Sequence, residues 1–386
     1  MFLSKTPGIG GRLKSTPEDF IVEEIAPDGT VYEIGKTFSK EGKGKFTHFI
    51  LQKKDWSTSS AILEIAKRLN TGHKRFSSAG TKDKIAVTTQ RVSAFDIPKE
   101  KILSLKIRDI QINGAWYSED KVRMGGLLGN RFTIRVEDAD DSNVEKISAE
   151  LDGKFPNYFG EQRFGSTRRN THIIGENILK EGFESAAKTF LCDSEGEENE
   201  LATDARKSLQ ETNDYGKALK DYPKHLRLER KMIAHLEKNH EDFKGAFRML
   251  PRSTLLLFIH AFQSHLFNRM LSSRIKEGPL ELEEGEYFCG ETLGFPDTSK
   301  TDAEGWICGK IIGYRTPINE REKAILEEYG ITKEHFMMKG MPEIASKGTY
   351  RTLLAPLKNF SYDGVFRFEL PSGSYATVAM GEFIKG

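Results

Sequence analysis

One carboxylate set among cations is the arrangement in this chain best suited to chemistry. Asp83 lies between Lys82 and Lys84, directly ahead of an apolar run rich in β-branched residues. An aspartate is ionised at neutral pH, and neighbouring cations favour that form while attracting phosphate groups. The pattern therefore makes Asp83 a candidate nucleophile. A surface turn with ordinary salt bridges is the competing interpretation of the same triplet.

The residues around Asp83 form a longer pattern, G-x-K-D-x-x-A-x-T-x-Q, over residues 80–90. Four other segments accompany it in a fixed order along the chain: Leu13–Glu24, Asn157–Gly165, Ala261–Asn268 and the ending Leu370–Thr377. In combination these segments resemble the TruD family of tRNA pseudouridine synthases, with an archaeal-like member as the nearest type. The resemblance spans nearly the whole chain, and ordered motifs are far more specific than any single one.

Two positions depart from the family pattern. Ile85 stands where an Arg or His is common, and Gly381 stands where an Arg commonly precedes the terminal Glu. Neither departure touches Asp83. We expect the first to weaken one RNA contact and the second to remove an ion pair near the C-terminus.

The resemblance implies an isomerase that converts uridine to pseudouridine, with tRNA as partner and the uridine at position 13 of the D arm as target. The bond from the sugar to N1 is broken, the base turns, and the sugar is rejoined to C5. This rearrangement involves no net redox change, so we expect no cofactor. Asp83 either attacks the sugar carbon or takes a proton from the sugar, and both possibilities remain open.

The resemblance also assigns two further catalytic residues. Lys14 corresponds to the basic residue that pairs with the nucleophile, and Phe159 to the aromatic ring that stacks on the extruded uridine. Taken alone, Phe159 is as well explained as a core aromatic. We assign substrate binding to seven polar residues: Asn157, Lys82, Gln90, Gln162, Arg163, Gln263 and Asn268.

Composition is compatible with RNA binding in spite of a net charge of only +1. Residues 43–91 contain eleven basic and three acidic side chains, a local net charge of +8 around Asp83. Phosphate contact needs only such a patch. With 37% hydrophobic and 30% charged residues, no apolar stretch of membrane-spanning length and no signal peptide, the chain is expected to be cytoplasmic and not bound to a membrane.

Other functions are less well supported by the motifs. Gly42–Lys45 is too short for a phosphate-binding loop, and the nine histidines are scattered without an H-E-x-x-H motif, so we predict no metal site. The alternative that remains is a tRNA-binding and remodelling protein whose catalysis is dispensable. The presence of Asp83 together with Lys14 and Phe159 favours an enzyme. The oligomeric state is left open by the sequence.

The residue pattern predicts an α+β fold. Strands are expected at 20–25, 46–53, 85–92 and 132–136, with a helix after Ser57 and Thr58 that places Ile62, Ile65, Ala66 and Leu69 on one face. Helical periodicity is expected over 174–190, 218–240 and 255–276, and strands again at 350–357 and 365–370. The resemblance implies a pseudouridine synthase domain with a mixed or antiparallel sheet, residues 1–171 and 350–386, and an inserted, mostly helical TRUD-type domain, residues 172–349.

Overall fold

The computed structural model describes residues 1–385, with sixteen strands, twelve α-helices and six 3₁₀ helices among them. The strands are β1 (Arg12–Leu13), β2 (Phe20–Ile25), β3 (Phe46–Lys54), β4 (Phe76–Ser78), β5 (Val87–Phe95), β6 (Ile110–Ser118), β7 (Gly129–Ile134), β8 (Val136–Glu137), β9 (Lys154–Pro156), β10 (Tyr287–Thr292), β11 (Phe295–Lys300), β12 (Trp306–Ile311), β13 (Thr349–Thr352), β14 (Leu354–Pro356), β15 (Lys358–Tyr362) and β16 (Phe366–Pro371). The α-helices are α1 (Thr58–Arg68), α2 (Lys99–Leu103), α3 (Val144–Leu151), α4 (Thr171–Leu179), α5 (Phe183–Cys192), α6 (Glu200–Thr212), α7 (Tyr215–Asp221), α8 (Arg227–Lys238), α9 (Phe243–Arg248), α10 (Arg252–Glu277), α11 (Glu320–Glu328) and α12 (Ala376–Ile384). The 3₁₀ helices are Pro17–Asp19, His73–Arg75, Asp141–Asn143, Glu161–Phe164, Lys333–Met337 and Pro342–Ile344.

The chain divides into two compact units. The sheet unit comprises residues 2–157, 291–297 and 354–385, and the helical unit comprises residue 1, 158–290 and 298–353. The sequence predicts domain boundaries after residues 171 and 349. The observed boundaries between the units follow residues 157 and 353, which is 14 residues earlier and four residues later. The assignment of residues 172–349 as an inserted domain stays a prediction.

The sheet unit is built on an eight-stranded mixed sheet. Its order is β15-β16-β7-β2-β5-β3-β6, with β4 paired to β5. β2 pairs in parallel with β5 and antiparallel with β7, which places Val22 opposite both Thr88 and Phe132. The strand β16 pairs with β7 and so brings the C-terminal region into this sheet. The prediction that the C-terminal strand rejoins the first sheet is therefore confirmed.

Helices cover the sheet in two places. α1 begins after Ser57, whose hydroxyl accepts a hydrogen bond from the Ser60 N–H at 3.1 Å, the usual arrangement of a serine N-cap. Its residues Ala61 and Ile65 are buried in a core shared with β3 and β5. α3 and α12 cover β2, β7 and β16 instead. There Phe132 stacks on Phe368 with ring centroids 5.5 Å apart.

The helical unit is organised around the 26-residue helix α10. Leu255, Ile259 and Phe262 on this helix belong to a continuous apolar core. α4 approaches α10 closely at Gly175, because a Cβ there would lie 2.1 Å from the Phe258 carbonyl oxygen. Within this unit β12 pairs antiparallel with both β10 and β13, for example Tyr287 with Cys308 and Cys308 with Thr352.

The sequence pattern predicts most of the helices and strands, and the differences from the structure have physical causes. The segment 174–190 is two helices separated by residues 180–182, and 218–240 is two helices separated at Pro223. A proline cannot continue a helix, whereas after α4 the chain turns at Glu181, which has φ +56°, and Gly182 is the N-cap of α5. β5 starts at Val87 rather than at Ile85. The helix α12, Ala376–Ile384, was not predicted. The strands β10, β11 and β12 were also missed, whereas β13 and β14 both overlap the strand expected at 350–357. The three missed strands are short and only partly buried, so their alternation is weak.

Candidate active site

Asp83 lies in the loop that enters β5, and lysines hold it at two points. The Lys14 ammonium is 3.1 Å from Asp83 Oδ1. Lys53 Nζ, from β3, donates a hydrogen bond to the Asp83 carbonyl oxygen at 2.7 Å. The Asp83 side chain remains 28% exposed. The loop therefore presents an oriented carboxylate that is still accessible to a large substrate.

Lys14 reaches Asp83 from an unusual backbone conformation. Its φ is +60°, in the left-handed region that a residue with a long side chain rarely adopts. The Lys14 ammonium also lies 4.2 Å from the centroid of the Phe20 ring, an attractive cation–π contact. Such strain persists where the surrounding structure requires it, and here it accompanies the ion pair with Asp83.

Two buried polar side chains, those of Thr58 and Gln90, shape the loop that precedes Asp83. Thr58 Oγ1 accepts a hydrogen bond from the Lys82 N–H at 2.9 Å and donates one to Gln90 Oε1 at 2.8 Å. Gln90 Nε2 in turn donates to the Gly80 carbonyl oxygen at 3.0 Å. These bonds tie the loop to the start of α1 and to β5. Thr58 was not among the residues expected from the sequence, since a threonine at a helix start gives no local signal of this role.

Lys82 and Gln90 are placed differently from what substrate binding would require. The Lys82 side chain is 5% exposed and ion-pairs with Glu24 at 3.0 Å. Its ammonium also donates to Asn130 Oδ1 at 2.8 Å. Gln90 is fully buried. Because these groups are already engaged beneath the loop, their placement argues against direct contact with RNA.

Lys53, one of the two lysines that contact Asp83, has a strongly shifted pKa. The residue is 1% exposed, and this burial lowers the pKa of Lys53 from 10.5 to about 8, because desolvation disfavours the charged form. The negative charge of Asp83 opposes that shift and the positive charge of Lys82 adds to it. Sequence reasoning counted Lys53 only as part of the basic stretch.

Phe159 lies in the helical unit, where neighbouring side chains fix both its backbone and its ring. Asn268 of α10 accepts a hydrogen bond from the Phe159 N–H and donates one to the Phe159 carbonyl oxygen, each at 2.8 Å. The Arg351 guanidinium lies 4.2 Å from the centre of the Phe159 ring, and the Phe267 ring meets it edge-on at 5.7 Å. Arg351 also donates to the Tyr158 carbonyl oxygen at 3.4 Å.

Arg351 was missed because it is 192 residues from Phe159 and belongs to none of the quoted motifs. Asn268 was expected to bind substrate. In the structure, the Asn268 side-chain amide makes both of these hydrogen bonds to the backbone of Phe159.

The remaining predicted site residues divide by exposure. Gln162 is exposed, and Arg163 donates from Nε to Ser264 Oγ at 3.1 Å with its guanidinium 5.7 Å from the Phe159 ring centre. Gln263 is buried, where it donates to the Ile312 carbonyl oxygen at 2.5 Å. Asn157, in the sheet unit, is also buried and accepts a hydrogen bond from Ser374 Oγ at 2.9 Å. Ser374 belongs to the C-terminal motif.

Residues 1–385 contain no group of three or more His, Cys, Asp or Glu side chains arranged to hold a metal ion. No helix in this described part of the chain has the length and apolar character needed to cross a membrane.

The chain as a whole matches a known family. Residues 1–383 match the model of TruD, tRNA pseudouridine synthase D. The chain belongs to the TruD family of tRNA pseudouridine synthases, as the ordered motifs indicated.

Similar proteins come from archaea. One from Methanosarcina acetivorans, named probable tRNA pseudouridine synthase D, is 35% identical over 100% of this chain and 95% of its own length. A Pyrococcus furiosus protein of the same name is 38% identical over 100% of this chain and 98% of its own. A crystal structure from Methanosarcina mazei, titled as that of the "Putative tRNA pseudouridine synthase D (TruD)", superposes with a TM-score of 0.77 at 34% identity, covering 100% of this chain and 96% of that one. The archaeal-like resemblance and the α+β fold class are thereby confirmed.

Proposed function

We propose that this protein converts uridine to pseudouridine in tRNA, at position 13 in the D arm, with Asp83 as the reacting carboxylate. Family membership supports the reaction and the substrate class. The observation that carries the residue assignment is the Asp83 carboxylate itself, which is partly exposed, 3.1 Å from the Lys14 ammonium and held through its carbonyl oxygen by Lys53.

The reaction needs few groups from the protein. The C1′–N1 bond breaks, the detached base turns, and C1′ bonds to C5; N1 ends with a hydrogen and C5 loses one, so the composition is unchanged. Asp83 acts either by forming a transient bond to the sugar carbon or by removing a proton from the sugar. Lys14, whose ammonium is 3.1 Å from Asp83 Oδ1, orients the carboxylate in either case. No step calls for a cofactor.

The target base must leave the stack before it can react. We propose that Phe159 supplies the ring on which the extruded uridine rests, with Asn268 and Arg351 as positioning residues. Gln162 and Arg163 are proposed to contact RNA, because their segment is exposed or half-buried. For Asn157, Lys82, Gln90 and Gln263 we propose support of the site in place of direct binding.

Residues 172–349 are proposed to form the inserted domain. Its contribution to catalysis would come through α10, which carries Asn268 and so holds the backbone of Phe159. A cytoplasmic location remains a prediction of the sequence.

A pseudouridine map tests this function. Unmodified tRNA is treated with the wild type and with Asp83→Asn, and binding of both proteins to the same tRNA is measured. Pseudouridine at a single D-arm uridine with the wild type, and none with an Asp83→Asn variant that binds as tightly, supports the proposal. Activity retained by Asp83→Asn would make Asp83 a structural ion-pair residue. If neither protein modifies tRNA, the tRNA-remodelling alternative takes precedence.

A further inference from the structure

An apolar side chain projects from the loop between β6 and β7. Met124 is 77% exposed, more than any other large apolar side chain among residues 1–385. It occupies the second position of a β-turn closed by a hydrogen bond from the Gly126 N–H to the Arg123 carbonyl oxygen at 2.9 Å. Gly125, the third residue, has φ +77°, which a type II turn requires. The turn therefore holds Met124 at its outermost point.

This turn is attached to the loop that carries Asp83. The Gly125 N–H donates to the Ala79 carbonyl oxygen at 2.7 Å. Six residues after Met124, Asn130 accepts the hydrogen bond from Lys82 Nζ at 2.8 Å. The turn and the start of β7 are thus joined to the Asp83 loop at residues 79 and 82, through two residues that follow Met124, within the sheet unit. Because its turn is anchored in this way, Met124 has a defined position beside the loop that carries Asp83.

The surroundings of Met124 favour a polyanion as the occupant. Lys121 and Arg123 are exposed near it in the sequence, and Lys84 is exposed on the Asp83 loop, whereas the exposed carboxylates of Glu119 and Asp120 are further from Met124 along the chain. Beside Lys84, Ile85 is a second exposed apolar residue, at 49%. A protein partner would be expected to cover a wider apolar area, whereas two isolated apolar side chains among cations suit a nucleic acid whose phosphates flank its stacked bases.

We propose that Met124 is a wedge that enters the base stack of tRNA at the gap left by the extruded uridine. Extruding a base breaks its stacking with both neighbours, and an apolar side chain inserted between base steps replaces part of that contact. The unbranched thioether of methionine adapts to such a gap. Met124 is in this view a positioning residue that stabilises the extruded state. The proposal rests on the proposed function, since a wedge is useful only if a base is extruded.

The test compares Met124→Ala with Leu201→Ala as matched control. Leu201 is also highly exposed, at 70%, but lies on α6 in the helical unit. One readout is the single-turnover rate of pseudouridine formation on intact tRNA and on a short unstructured RNA containing the same uridine. The other is the fluorescence of 2-aminopurine placed next to the target uridine, measured with Asp83→Asn as background so that no product forms.

Met124→Ala is expected to lower the rate on intact tRNA about tenfold and to reduce the fluorescence rise, with little effect on the unstructured RNA, where no stack has to be opened. Leu201→Ala should match its parent in both readouts. An equal loss on both RNAs, or an unchanged rate and fluorescence in Met124→Ala, overturns the wedge while leaving the proposed function intact. Absence of pseudouridine with the wild type removes the proposed function instead.

Discussion

Replacing Lys53 by methionine is expected to remove a pH-dependent part of the protein's stability and to slow catalysis. Lys53 is buried in β3, and its ammonium holds the Asp83 carbonyl oxygen at 2.7 Å. Methionine has a similar length and no charge. The variant therefore deletes both the buried cation and the hydrogen bond while filling nearly the same space.

The magnitude for stability follows from the pKa of Lys53, which burial lowers from 10.5 to about 8. A difference of this size corresponds to about 3 kcal/mol at 1.36 kcal/mol per unit. Between about pH 8 and 10.5 the folded protein binds fewer protons at Lys53 than the unfolded chain, so this group makes stability rise with pH in that window. Below about pH 8 Lys53 is charged in both the folded and the unfolded state, so the full free-energy cost of burying its charge lowers the stability of the folded protein.

The assay is urea unfolding of the wild type and of Lys53→Met at a series of pH values from 7 to 10.5. Titrations of other groups cancel to first order in the difference between the two proteins. The wild type should gain up to about 3 kcal/mol relative to Lys53→Met across the series. Lys54→Met is the control, because Lys54 follows Lys53 in the same strand but its side chain is 44% exposed and pairs with Glu18.

Activity provides the second half of this prediction. A hydrogen bond from a charged donor contributes about 1.5–3 kcal/mol, so release of the Asp83 carbonyl should lower the single-turnover rate by about tenfold or more. Binding of tRNA should change little, since Lys53 is not exposed. A stability difference independent of pH from 7 to 10.5 would refute the reasoning about the buried amine. Full activity of Lys53→Met would refute its role in holding the loop.

Three further variants test the rest of the molecule. Asn268→Ala removes both side-chain bonds to the Phe159 backbone and is expected to lower the catalytic rate by about tenfold with a nearly unchanged melting temperature; equal activity would show that Phe159 needs no such support. Arg351→Met removes the cation from the Phe159 ring, and a rate loss of about threefold or more is expected, consistent with a cation–π contact of roughly 0.5–1 kcal/mol. Recovery in Arg351→Lys would identify charge as the cause. Gly175→Ala forces a Cβ to 2.1 Å from the Phe258 carbonyl oxygen, so a loss of about 1–3 kcal/mol in unfolding free energy is expected by urea titration, whereas unchanged stability would mean that α4 and α10 separate easily.

The gap between sequence and structure is clearest at Lys82. Local reasoning treated it as one cation of a basic, RNA-facing stretch, because lysines are mostly exposed. In the folded chain it is buried against Glu24 of β2. The counter-charge of Glu24 offsets the cost of burying this lysine, and that partner is 58 residues away in the chain. Gln90 is likewise buried, and its side chain is hydrogen-bonded to Thr58 and to the Gly80 carbonyl oxygen.

Ile85 illustrates a smaller error. Its β-branched side chain and those that follow predicted a strand from this residue. Pairing begins at Val87, where Ile21 of β2 and Lys54 of β3 become its neighbours in the sheet. A strand's extent depends on where its partners start, and no local pattern contains that information.

The sequence by itself determined the family, the α+β class, most strands of the large sheet, helix α1 with its Ser57 cap, and Asp83 as the candidate reacting group. These follow from ordered motifs and from apolar periodicity, which are properties of neighbouring residues. Only the tertiary structure showed that Lys53 hydrogen-bonds the Asp83 carbonyl oxygen, that Arg351 lies over the Phe159 ring, and that Asn268 hydrogen-bonds the Phe159 backbone. Each of these contacts joins residues 30 or more positions apart, so the packing of sheet and helices creates them and no local sequence signal precedes them.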